Sequence, residues 1–138
     1  MSKSVSAKMG IKENTRGIFI SAPADAIKAI NVPDLQIASR LSGNFDYIHF
    51  FAVSQSKLDK KFPSLKRHLK PGGMLWISWP KAKQHGTDLT LTKIIKIGYD
   101  HGLVESKTLS INTSWSAIKF THPKKGKIYN NSYGKLKV

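Results

Sequence analysis

The sequence predicts a single α/β domain, a three-layer sandwich whose mostly parallel sheet is closed by a C-terminal antiparallel strand pair. Three observations lead there. Short apolar runs of strand type alternate with stretches of helical spacing along most of the 138 residues. The strongest run, residues 45–53 (Phe-Asp-Tyr-Ile-His-Phe-Phe-Ala-Val), is almost continuously apolar, as expected of a parallel strand covered by helices on both faces. The last two runs, 107–111 and 115–120, are joined only by Asn112-Thr113-Ser114, which suits antiparallel neighbours.

Each element has its own local reason. After a polar start, residues 17–22 form the first strand, ended by Pro23. Residues 24–30 read as a short helix stopped by Asn31 and Pro33. A weaker strand is expected within 35–41, and Ser42-Gly43-Asn44 turns into the strand 45–53. Ser56-Lys-Leu-Asp59 has the form of a capping box opening a helix to about Lys70. Leu58, Phe62, Leu65 and Leu69 give that helix one apolar stripe, and Pro63 is expected to kink it. Pro71-Gly72-Gly73 is a turn before the strand 74–78, and 79–86 is a loop. Thr87 or Asp88 is the expected cap of a helix to His101 that turns Leu91, Ile94, Ile95 and Gly98 inward, with Gly102-Leu103 as its stop. The domain is expected to span 1–122, leaving 123–138 as a basic, fraying tail.

Composition bounds the chemistry. A chain of this length buries roughly two-thirds of its unfolded surface, and 40% apolar residues suit a globular core. There are no cysteines, which excludes disulfides, thiolate nucleophiles and cysteine-held metals. No apolar run approaches the ~20 residues of a membrane span, so a cytoplasmic protein without membrane contact is expected. The unusual bulk property is charge: 23 Lys and Arg against 8 Asp and Glu, a net of +15. Such an excess attracts nucleic acid or another polyanion.

Several segments are similar to one known family. Leu69-Lys-Pro-Gly-Gly-Met-Leu-Trp-Ile-Ser78 resembles the lead into the fifth strand of class I methyltransferases, and 45–50 resembles their fourth strand. The helix ending in His101-Gly-Leu103 before a strand pair resembles their C-terminal third, and Gly10-Ile-Lys with Arg16 the approach to their first strand. With Ser21-Ala-Pro23, Trp76-Ile-Ser-Trp-Pro-Lys81 and Ser114-Trp-Ser-Ala-Ile-Lys119, residues 8–120 are more similar still to a bacterial family of unknown function with a shortened methyltransferase-like fold. The resemblance implies a Rossmann-like architecture. It also implies an acid and a Gly-x-Gly turn at the end of the first strand, and a second acid after strand two for the ribose. Here Phe19 stands in the acid's place, Ser21 and Pro23 stand in the glycine places, and no carboxylate follows strand two near Ser39-Arg40. These departures lead to the expectation of a non-catalytic binding module with no cofactor. The alternative is an S-adenosylmethionine-dependent methyltransferase with an atypical cofactor site.

Ligands in open α/β sheets sit beyond the carboxyl ends of the strands. The residues expected there are Ser21, Pro23, Ser54, Ser78, Trp79, Lys81, Lys83 and Trp115. Trp79 and Trp115 beside Lys81 suggest a platform for a flat ligand; the competing reading makes one indole core and the other hairpin filler. His85 is the one histidine in a candidate loop, whereas His49 is expected as a hydrogen-bonded core residue. No histidine pair has metal-ligand spacing, and no metal is expected. The carboxylates fall at caps and element ends, so no catalytic residue is assigned. Polyanion contact is expected from Lys57, Lys60, Lys61 and Arg67 on the helix. Lys124, Lys125 and Lys127 on the tail join them, with Tyr129 and Tyr133 nearby.

Overall fold

The computed structural model describes residues 4–124 and the backbone of 130–131 and 134–135. Its sheet contains β1 (Arg16–Ile20), β2 (Gln36–Ile37), β3 (Phe45–Phe51), β4 (Leu69–Pro80), β5 (Val104–Ser110) and β6 (Trp115–Thr121). The spatial order is β2-β1-β3-β4-β6-β5. The first four strands run parallel, and β6 lies antiparallel to both β4 and β5. This is the predicted mixed sheet. A short pair, β7 (Asn130–Asn131) and β8 (Gly134–Lys135), follows within the stretch read as a tail. Lys125, Lys127, Tyr129 and Tyr133 lie outside the described residues.

Helices α3 (Gln55–Arg67) and α4 (Leu91–Asp100) cover one face, and α1 (Val5–Met9) and α2 (Ala24–Ile30) cover the other. The apolar stripe of α3 behaves as its spacing requires: Leu58, Phe62 and Leu65 are fully buried against Ile48, Phe50 and Leu75 of the sheet. On the opposite face Met9, Ala26 and Ile30 pack with Tyr47, Phe51, Trp76 and Trp115. Among the described residues no helix is long and apolar enough to cross a membrane.

Several local expectations are corrected. Helix α3 begins two residues earlier than the Ser56 box implies: Ser54 is the N-cap, its hydroxyl accepting from Lys57 N–H at 3.2 Å. Asp88 Oδ1 accepts from Gln55 N–H at 2.9 Å, so the approach to α4 also tethers the start of α3. Thr90, not Thr87 or Asp88, caps α4, and Leu91 is 37% exposed rather than inward. The Pro71-Gly72-Gly73 turn lies within β4. Pairing jumps from Phe45 opposite Leu69 to Tyr47 opposite Met74, and Gly72 takes φ +79° as the extra residues bulge out. Helix α1 was not anticipated at all.

Candidate functional site at the carboxyl edge of β1 and β3

The chain leaves β1 for β2 on one side and returns to β3 on the other. The crevice between β1 and β3 is therefore the switch point, where an open α/β sheet offers its ends to a ligand. Ile20 and Phe50 are directly paired there. Beyond Ile20, Ser21 adopts φ +58°, the left-handed conformation that glycine takes most readily. Pro23 then starts α2 with its fixed φ of −67° and no side-chain cap. The sharp first turn thus persists although neither glycine does.

Two adjoining hollows open at this crevice. One, of about 310 Å³, lies between Ile20, Ser21, Phe50 and the lysines Lys57, Lys60 and Lys61 of α3. The other, of about 210 Å³, continues past Ser21, Phe50 and Lys57 to Pro23, Val53 and Trp115. Among the described residues no carboxylate lines either hollow. Lys57 borders both, and its ammonium has no ion-pair partner among the described residues. The donor set is a cation, a hydroxyl and flat apolar walls, which suits a ligand with an anionic end and a heterocyclic body. Its ribose would have to be held without a carboxylate.

The structure separates residues that the sequence placed together. Trp79 pairs with Ser116 and Trp115 with Pro80, so the two indoles point to opposite faces of the sheet. They do not form one platform. Trp115 lines the crevice, and the His85 ring stacks on this indole with centroids 5.7 Å apart, though His85 itself lines neither hollow. Trp79 and Lys81 instead border a separate hollow of about 320 Å³ on the β5–β6 side, where Lys81 Nζ donates to Ser110 Oγ. Lys83 is exposed, in a 3-10 turn (Lys81–Gly86) where Ala82, Lys83 and His85 all have positive φ. Ser54 is committed to capping α3.

Ser78 is fully buried and away from the crevice. Its Oγ lies 2.6 Å from His49 Nε2, and Tyr47 Oη lies 2.6 Å from His49 Nδ1. Neutral imidazole donates at one of these contacts and accepts at the other. Burial lowers the His49 pKa to about 3 and raises that of Tyr47. Every buried side-chain polar atom described has a partner, so this chain is a satisfied core network. Phe19 faces the same interior, edge-on to Tyr47 at 5.6 Å, and not the crevice. Sequence reasoning missed the paired Ile20 and Phe50 walls and the place of Lys57 at the crevice. The strand register supplies both.

No protein-family model and no curated protein matches the sequence. Solved structures do match. A ribosomal protein methylase from Lactobacillus delbrueckii subsp. bulgaricus superposes with a TM-score of 0.57 at 11% identity, over 87% of this chain and 76% of that one. The N-methyltransferase NodS from Bradyrhizobium japonicum gives 0.56 at 13% identity, over 87% and 91%. Magnesium protoporphyrin IX methyltransferase from Synechocystis, with bound S-adenosylmethionine, gives 0.55 at 13% identity, over 86% and 74%. The chain has the Rossmann-like methyltransferase fold. The expectation of a scaffold without a cofactor is corrected by the same comparisons: the neighbours are methyltransferases, and one holds the cofactor.

Proposed function

We propose that this protein is an S-adenosylmethionine-dependent methyltransferase with an atypical cofactor site, in place of the non-catalytic module expected from the sequence. The observation that carries this reading is the open crevice at the β1–β3 switch point, bordered by left-handed Ser21 and by Lys57, which has no ion-pair partner among the described residues. Lys57 would hold the carboxylate of the cofactor's amino-acid end through a charge-assisted hydrogen bond. Phe50, Val53 and Trp115 would face its flat portion, and the Ser21 hydroxyl would serve a polar group beside them. When bound, the cofactor supplies an activated methyl group. The residues of this chain then have to orient it and exclude water, which lowers a barrier without a dedicated acid or base.

Thermal melting in the presence of S-adenosylmethionine tests the proposal. A ligand at 100 times its dissociation constant adds about 2.7 kcal/mol of stability, so the melting temperature should rise with cofactor concentration. Adenosine, which lacks the carboxylate, should raise it less. No shift at millimolar cofactor would sink the reading.

A further inference from the structure

Over about two turns of α3, roughly 10 Å along the axis, Lys60 and Arg67 share the exposed crest, and the half-buried Lys61 and Lys66 flank it on opposite sides. The carboxylates that could neutralise them are engaged elsewhere. Asp59 binds His101 Nε2 at 2.8 Å, Asp46 binds Lys70 at 3.2 Å and Asp100 binds Lys96 at 3.1 Å. Among the described residues, no acid lies within ion-pair distance of these four α3 cations. The strip starts at the crevice, whose larger hollow Lys60 and Lys61 border. It ends at a groove of about 480 Å³ between α3 and α4 that Lys66 and Arg67 border together with Asp100, whose carboxylate is ion-paired to Lys96.

We infer that this strip docks the sugar–phosphate backbone of a nucleic acid. The chemistry of the face selects that occupant. A protein partner needs apolar or aromatic anchors at the centre of its interface. The only large hydrophobic side chains exposed among the described residues are Ile37 and Leu91, and neither is on α3. The same lack argues against a lipid surface, into which an interfacial helix inserts apolar side chains. Lysine ammoniums are point charges suited to sequence-independent phosphate contacts. The inference does not rest on methyl transfer, because Lys60 and Lys61 can meet a phosphate backbone whether or not the hollow they border holds a cofactor.

Fluorescence anisotropy with labelled single-stranded RNA, single-stranded DNA and duplex DNA, without cofactor, tests the inference and distinguishes the sources. Binding should weaken steeply with salt. The K60Q/K61Q variant should flatten the plot of log affinity against log salt by about 1.4 on a single strand, at about 0.7 per phosphate contact. K66Q/R67Q should act alike. The control K12Q/K28Q removes the same charge at exposed lysines off α3 and should change the slope by less than half as much. Equal effects of control and α3 variants would overturn the inference, because net charge alone would then explain binding. So would failure to bind any nucleic acid at low salt, or equally tight binding to polyglutamate or to phosphatidylserine vesicles. Nucleic-acid binding without a cofactor-induced melting shift would leave the strip standing and remove only the methyltransferase reading.

Discussion

His49 is fully enclosed, hydrogen-bonded at both ring nitrogens and stacked on Phe51 at 4.4 Å. Its folded pKa of about 3 lies below the ordinary 6.5, so the unfolded chain takes up the proton first as the pH falls. The stabilisation is complete above pH ~6.5 and is lost progressively as the pH drops toward 3. The unfolding free energy in urea should be about 2–3 kcal/mol lower at pH 4.5 than at pH 7; a flat profile across that window would contradict the burial of a neutral imidazole. Asp46 acts at lower pH. Its carboxyl is held below its ordinary value of 3.8, chiefly by the Arg16 N–H, so its share is lost only as the pH falls through that range. Gly98 on α4 gives a second test. A Cβ there would sit 2.1 Å from Phe120 Cε1, and the Phe120 ring is boxed in edge-on by Phe62. Gly98→Ala should therefore cost about 1–3 kcal/mol, seen as a lower melting temperature; an unchanged value would show that the ring can move aside.

At the scale of elements, helix α3 joins the core to the site. Its buried stripe fixes its height over the sheet, its first turn brings Lys57 to the crevice, and His101 holds it to the end of α4 through Asp59. Ser54→Ala should lower stability by about 1 kcal/mol through loss of the N-cap. Ser56→Ala, at an exposed position inside the first turn, should stay within about 0.5 kcal/mol. The opposite ranking in denaturant unfolding would restore the Ser56 capping box. The strands and α3 were legible in the sequence because long apolar runs and a repeating stripe record burial directly. Helix α1 was not: its five residues owe their order to tertiary contacts, Met9 in the core and Ser6 Oγ donating to Asn31 O. The tryptophan corner failed for a related reason. Only the antiparallel register decides which face a strand residue takes, and a shift of one residue reverses it.

For the molecule as a whole, a net charge of +15 rests on a scaffold whose described carboxylates mostly serve internal contacts. The fold fixes where a ligand is offered, at the β1–β3 switch point, and leaves the choice of ligand to the side chains around it. Those side chains explain why the missing glycines misled. Ser21 supplies the left-handed turn by itself, so their loss alters how a cofactor would be held and does not close the crevice. Titration calorimetry of S-adenosylhomocysteine against the wild type and K57Q is the most direct test. Saturable binding by the wild type, weakened about tenfold in K57Q, is the expected result, since a hydrogen bond to a charged group contributes about 1.5–3 kcal/mol and 1.4 kcal/mol is a factor of ten. Absence of binding by the folded wild type at millimolar ligand, or equal affinity in the two proteins, would contradict a cofactor held at this crevice by Lys57.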